Sequence, residues 1–215
     1  MHRLRISRAH FPVTVLGPGR RIGLWVQGCT LGCKGCISRD TWDPEGGNEA
    51  SISELADWCV RCIRDGATGM TVSGGEPFQQ SDGLRSFLQE MRIRSEGTDF
   101  DILAYSGYSN RLLKRRFSDI LGLLDAVISE PYLSERASEQ WLRGSSNQRI
   151  HVLSKLGDVR FGATGEGFDR GAAVQVAVTN DSVWYIGIPR SGDMERLEEI
   201  ARQRGVNLGG ASWVA

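Results

Sequence analysis

No stretch of this 215-residue sequence approaches the roughly 18 apolar residues that a membrane-spanning helix needs, so no such helix is expected. The opening residues, MHRLRISRAHFPVTVLG, lack the apolar centre of a signal peptide, and the expected location is cytoplasmic. Net charge is missing as well. The 26 basic side chains are matched by 26 acidic ones, which leaves no global field to draw in nucleic acid or an anionic membrane, and neither is expected as a partner. Histidine is scarce: His2, His10 and His151 show no paired spacing of the kind that closes a zinc site. Five cysteines, three of them within eight positions, fit a disulfide scaffold poorly and suit metal binding in a reducing compartment. Internal repeats and low-complexity tracts are also absent.

What is present is an alternation of strand and helix patterns, with enough apolar residues, 40% of the chain, for one substantial core. Residues 22–28 set Ile22, Leu24 and Val26 against Gly23, Trp25 and Gln27, the period of a strand with one better-buried face. Ser51 and Glu54 form a capping-box pattern, after which Ile52, Leu55, Ala56, Cys59, Val60, Cys62 and Ile63 recur at helical spacing. Strands follow at about 67–73, 101–105 and 126–129, separated by helices at about 82–94 and around Leu112, Leu113 and Phe117. Such alternation implies right-handed crossovers and an α/β fold with a parallel sheet. A full eight-unit barrel takes about 250 residues, so a partial barrel of five or six units is predicted, with function at the carboxyl ends of its strands. From about residue 157 the text GDVRFGATGEGFDRG reads as a flexible loop. A hairpin turning at Asn180 and Asp181 and a short terminal helix are predicted beyond it.

Chemistry concentrates in Cys29-Thr-Leu-Gly-Cys33-Lys-Gly-Cys36, which follows the first predicted strand directly. Gly28, Gly32 and Gly35 allow the loop to curl so that three thiolates face one object. Biological [4Fe-4S] clusters usually take four cysteines, so three leave one iron open to another ligand. The spacing alone keeps two other readings open, a zinc site completed by a distant histidine and unligated thiols. A second motif, Ser73-Gly74-Gly75-Glu76-Pro77, closes the next strand about 40 residues on.

Together, and in that order, the two motifs resemble the radical S-adenosylmethionine (SAM) superfamily, whose cluster motif is C-x3-C-x2-C and whose next strand ends in a GGEP-type sequence. The resemblance is closer to the activating proteins of anaerobic ribonucleotide reductase. It is carried by Gly17-Pro-Gly-Arg20, Leu24-Trp-Val-Gln-Gly-Cys29, Thr41-Trp42, Tyr105-Ser-Gly-Tyr108 and Arg143-Gly-Ser-Ser-Asn-Gln-Arg149, over residues 10–154. It implies one [4Fe-4S] cluster on Cys29, Cys33 and Cys36, reduction by a flavodoxin or ferredoxin, and cleavage of SAM to methionine and a 5′-deoxyadenosyl radical. That radical takes a glycine hydrogen from a partner glycyl radical enzyme, in an oxygen-sensitive reaction. By position, Gly74, Gly75, Glu76 and Pro77 hold the methionyl end of SAM, Ser106 and Gly107 lie near the ribose, and the segment with Ser145, Asn147 and Gln148 lines the site. The implied organisation is a radical SAM core over 1–156 and a C-terminal extension of loop, hairpin and helix over 157–215.

The chain departs from that pattern in two places. Gly35 stands where many superfamily members carry an aromatic residue, although the reductase activators also tolerate glycine there, so packing for the SAM adenine must come from elsewhere. Ser129-Glu130-Pro131-Tyr132 replaces an Asp-Gly pair followed by an aromatic, which bears on partner and substrate. Two further readings stand beside the activase: a radical SAM enzyme acting directly on a small molecule or peptide, and an iron-sulfur electron-transfer or sensor protein. The GGEP segment disfavours the second of these, since electron transfer alone needs no SAM cradle. Outside the motifs, Cys59 and Cys62 fall on an apolar helical stripe and read as core, Lys114-Arg115-Arg116 reads as a solvated face, and His151, Trp141, Trp184 and Trp213 read as structural. The hairpin with Trp184 and Tyr185 is either a docking flap or a packed element.

Overall fold

A computed structural model describes residues 3–162, 174–178, 183–190 and 192–205. Its strands are β1 (Arg3–Val13), β2 (Arg21–Val26), β3 (Asn48–Ser51), β4 (Gly69–Gly74), β5 (Asp101–Tyr105), β6 (Ala126–Ser129), β7 (Arg149–Val152), β8 (Val174–Val178) and β9 (Val183–Gly187). The helices are α1 (Ile52–Arg64), α2 (Ser81–Arg94), α3 (Asn110–Arg116), α4 (Ser118–Leu121), α5 (Lys155–Phe161) and α6 (Asp193–Gln203). The class is α/β. Seven strands form one sheet in the order β3-β1-β2-β4-β5-β6-β7, while β8 and β9 pair separately.

Strands β2, β4, β5 and β6 are parallel neighbours joined through α1, α2, and α3 with α4, as the alternation requires. The edges differ from the all-parallel expectation. β1 runs antiparallel to both β2 and β3, and β7 runs antiparallel to β6. Parallel units are therefore fewer than the five or six expected, and the sheet ends at β3 and β7 without closing. The physical reason lies after β6, where no crossover helix intervenes. Residues 130–148 form an irregular connection with one short turn at Ser134–Arg136, so the chain returns on the same edge in the opposite sense.

Side-chain alternation builds a layer on each side of the sheet. Ile22, Leu24 and Val26 of β2, Met70 and Val72 of β4, and Ile102 and Ala104 of β5 face the main core beneath α1 and α2, with Leu55, Cys59, Leu84, Phe87 and Met91. Leu103, Ala126 and Ile128 point the other way and meet Leu142 and Phe161. Cys59 and Cys62 are both buried in the main core, as the stripe predicts. Ser51 does precede α1, but its side chain makes no capping hydrogen bond, so the capping box supplies the boundary and not the expected bond.

The loop expected from residue 157 is helical at its start, in Lys155–Phe161, and its remainder over 163–173 lies outside the described residues. Ser154 caps this helix by accepting from the Gly157 amide at 2.9 Å. Gly157 is needed for close approach: a Cβ there would stand 2.0 Å from the Asp125 carbonyl oxygen. The two strands expected for the hairpin are present, while the turn at Asn180 and Asp181 lies outside the described residues, as do His2 and Trp213. The hairpin is packed. Ala177 and Ile186 join Val13 and Leu16 in a third apolar cluster, and Gln175 accepts from the Thr14 amide at 3.0 Å and donates to the Pro12 carbonyl at 2.8 Å. Arg8 lies over the Trp184 ring at 5.6 Å.

Candidate active site

At the carboxyl ends of the parallel strands the loops after β2, β4, β5 and β6 surround a cleft of about 640 Å³. Cys29, Cys33 and Cys36 line it on one side, Gly74, Gly75 and Glu76 at the base, and Ser106 and Gly107 beside them. A further wall comes from the C-terminal part of the chain, where Ile188, Pro189, Arg190, Met194 and Glu195 contribute. The sequence pattern leaves the preceding hairpin as either a docking flap or a packed element and marks none of these wall residues, which reach the cleft through tertiary packing.

The cysteine loop leaves β2 through Gly28, Gly32 and Gly35, all with φ in the left-handed region. Fixed contacts hold its two ends. Gly28 and Cys29 donate backbone hydrogen bonds to the carbonyls of Thr41 and Trp42 at 2.8 and 3.0 Å. The Gln27 amide group donates to the Asp40 and Asp43 carbonyls, and the Gln79 side chain both accepts from the Thr30 amide and donates to its hydroxyl. Between these anchors the three thiols are half-buried. Burial pushes the Cys29 and Cys33 thiols above the ordinary range, while backbone amides, Tyr132's toward Cys33 among them, pull back toward thiolate. Ligation by a metal would reverse the balance, because thiolate is the ligating form.

The donor set decides what these thiols suit. His151 is tied to Ser129 Oγ at 2.9 Å, and His10 lies edge-on to Trp184, so neither reaches the cleft. Among the described residues, no three His, Cys, Asp or Glu side chains are gathered about one point as a single ion requires. Three thiols on a glycine-jointed loop, facing an open cleft, fit a larger inorganic group with a coordination position left over. A closed zinc site does not fit.

The GGEP segment has a structural task of its own. A Cβ on Gly75 would stand 2.2 Å from the Gly28 carbonyl oxygen and one on Gly74 2.5 Å from that of Val26, so this turn rests directly on the root of the cysteine loop. Gly75 and Glu76 donate to the Val26 and Gly28 carbonyls at 2.8 and 2.9 Å. Pro77 is buried at the start of a short helical turn, Pro77–Gln80, and does not line the cleft. Glu76 is 1% exposed and accepts from Ser106 Oγ at 2.9 Å, the Gly107 amide at 2.7 Å and the Phe78 amide at 3.1 Å. Burial outweighs these three bonds and raises its carboxyl to about 7. A carboxylate can accept about four hydrogen bonds, so one position remains for a donor in the cleft.

The 143–149 segment divides. Gly144 and Gln148 line the cleft, whereas Ser145 and Asn147 lie behind it. Ser145 Oγ accepts from the Leu133 amide and Asn147 Nδ2 donates to the Pro131 carbonyl at 2.8 Å, which shapes the connection after β6. Glu130, in that connection, lines the cleft with φ of 84°, a conformation a non-glycine residue adopts at a cost.

A family model described as a 4Fe-4S single cluster domain matches residues 15–151. The anaerobic ribonucleoside-triphosphate reductase-activating protein of Vibrio cholerae is 32% identical over 149 residues, which cover 66% of this chain and 94% of that protein. The Escherichia coli protein of the same name is 28% identical over 67% of this chain and 96% of its own length. Pyruvate formate-lyase 1-activating enzyme of Escherichia coli is 30% identical over 204 residues, covering 89% of this chain and 72% of that enzyme. A match of 89% leaves about 24 of the 215 residues outside it, so it takes in 25–191 wherever it begins. Among the described residues no helix is long and apolar enough to cross a membrane. On the match to more than half of its length, the chain belongs to the 4Fe-4S single cluster domain family and is an enzyme of the radical SAM activating type.

Proposed function

We propose that the chain generates a glycyl radical on a partner enzyme, using SAM bound in the cleft beside a cluster held by Cys29, Cys33 and Cys36. The observation that carries this reading is the meeting of three separate segments, the cysteine loop, Gly74 to Glu76 and Ser106 to Gly107, around one opening. A [4Fe-4S] cluster held there by the three thiolates would pass one electron from an external donor to SAM, dividing it into methionine and a 5′-deoxyadenosyl radical. The residues of the chain bind and orient. Glu76, fixed by Ser106 and Gly107, offers its remaining acceptor position to the SAM ammonium, and Ser106 and Gly107 stand on the ribose side of it. Leu31 covers Gly107, where a Cβ would stand 2.3 Å from its Cδ1, and narrows access for water.

The wall from Ile188 to Glu195 then faces whatever receives the radical, and its first part, Ile188 to Arg190, falls within the match to the pyruvate formate-lyase activator. The partner in this reading is a glycyl radical enzyme, in the first instance an anaerobic ribonucleotide reductase, with flavodoxin or ferredoxin as electron donor. The core through about residue 156 does the chemistry, and the extension shapes the opening. The test mixes cluster-loaded chain, reductant and SAM with the purified reductase of the same organism under anaerobic conditions. A glycyl radical signal by electron paramagnetic resonance is the expected result. SAM cleavage without that signal would remove the reductase as partner.

A further inference from the structure

Four aromatic side chains line the cleft, Trp25, Trp42, Tyr105 and Tyr132, and three of them are already engaged. The Trp25 ring tip fills the space beside Gly23, where a Cβ would stand 2.5 Å from Cη2, and packs with the cluster under the hairpin. Trp42 carries the Arg39 guanidinium at 5.8 Å. Tyr105 donates its hydroxyl to the Leu142 carbonyl at 3.0 Å and packs against the cluster around Leu142. Tyr132 differs. Among the described residues its ring has no aromatic or cationic partner and its hydroxyl no hydrogen bond.

The ring is nevertheless held in place. A Cβ on Gly35 would stand 3.6 Å from Tyr132 Cε1, and one on Gly144 3.1 Å from Cδ2 and 3.3 Å from Cε2. Cε1 and Cδ2 are opposite carbons of the ring, so the ring stands between two glycines, one on the cysteine loop and one on the connection after β6. A Cβ on Gly144 would crowd the ring, whereas at Gly35 the ring stands at ordinary contact distance and Ser134 Cβ, at 3.2 Å, is the nearer atom. A half-buried aromatic lining the cleft beside the cysteine loop, its ring without an aromatic or cationic partner among the described residues, offers its surface to a flat group in the cleft.

We propose that Tyr132 is the stacking platform for the adenine of SAM, a role that rests on reading the cleft as a SAM site. The position fits the chain's own peculiarity: with glycine at 35 the cysteine loop brings no aromatic surface, and the Tyr132 ring stands at contact distance from that glycine. Adenine is the flat part of SAM and stacks on an aromatic face without sequence-like readout, whereas the methionyl end needs the polar groups around Glu76.

The test measures equilibrium binding of SAM and of free methionine to anaerobically reconstituted protein, unmodified and as Tyr132→Phe, Tyr132→Leu and Gly144→Ala. Tyr132→Leu should weaken SAM binding about tenfold and leave both methionine binding and cluster content unchanged, while Tyr132→Phe stays within about twofold of the unmodified protein. Gly144→Ala, whose methyl would crowd the ring, should weaken SAM binding with the cluster intact. Equal SAM affinity in the Leu and Phe variants overturns the proposal, and so does loss of the cluster in Tyr132→Leu, which would give the ring to the cysteine loop instead. Failure of the unmodified, cluster-loaded protein to bind SAM at all would overturn the underlying reading of the cleft.

Discussion

The two ends of the parallel strands are built on opposite terms. At the amino ends, Arg21 opens β2 and Asp101 opens β5, both fully buried and joined by hydrogen bonds of 3.1 and 2.6 Å. Arg21 also donates to Thr71 Oγ1 and to the Pro18 and Met70 carbonyls, which places a partner on all five of its N–H groups. At the carboxyl ends, the thiols of Cys29, Cys33 and Cys36 stand half-exposed on a glycine-jointed loop, and the buried Glu76 keeps an acceptor position unused. Complete pairing at one end holds the strands in register. Incomplete pairing at the other leaves atoms ready for a ligand, the division seen when one face of a parallel sheet serves stability and the other serves chemistry.

Substitutions at the open end should produce the largest change. Cys29→Ala, Cys33→Ala or Cys36→Ala should each abolish iron and sulfide binding on anaerobic reconstitution, measured by elemental analysis, with little loss of fold. A cluster that survives any one of them contradicts the ligand assignment. The closed end should respond in the opposite sense. Asp101→Ala strands a buried guanidinium and should cost about 3–5 kcal/mol in a denaturant titration, while the folded fraction still takes up iron and sulfide. A cost below about 1 kcal/mol would show that the pair is not what secures that end.

The pH response of Glu76 sharpens the contrast further. Its carboxyl lies at about 7 in the folded chain against an ordinary 4.5, so the folded state holds that proton more tightly. Its contribution to stability is therefore present below about pH 4.5 and is lost as pH rises toward 7. Ligand binding runs the other way. A cationic ammonium needs the carboxylate, so SAM affinity should rise as pH climbs through about 7 and level off above it, and Glu76→Gln should give weaker binding with a flattened profile. A steep profile retained in Glu76→Gln would move the titration to another group. The smallest effect is expected at Cys59→Ala, a truncation in the core far from the cleft, which should cost about 1 kcal/mol and leave cluster content unchanged.

How much of this was legible depended on the range over which each feature is encoded. β5 at 101–105 and β6 at 126–129 are short apolar runs between turn residues and lie where the pattern puts them. β1 escaped notice because its eleven residues carry Arg3, Arg5, Arg8 and His10 and are mostly half-buried, so the alternation of Leu4 and Ile6 is drowned by charge. α5 was read as loop because Gly157 suggests a breaker, whereas it serves close approach to Asp125. The cysteines and the GGEP turn were readable as local motifs. Tyr132, the Ile188 to Glu195 wall and the Arg21–Asp101 pair come together only in three dimensions, across separations that periodicity does not sense.

Cluster-loaded protein, reduced with dithionite under anaerobic conditions and given SAM, tests the central claim most directly. Chromatography should find 5′-deoxyadenosine and methionine in equal amounts, and neither above background in Cys33→Ala. An intact, reducible cluster that yields no 5′-deoxyadenosine would contradict the account.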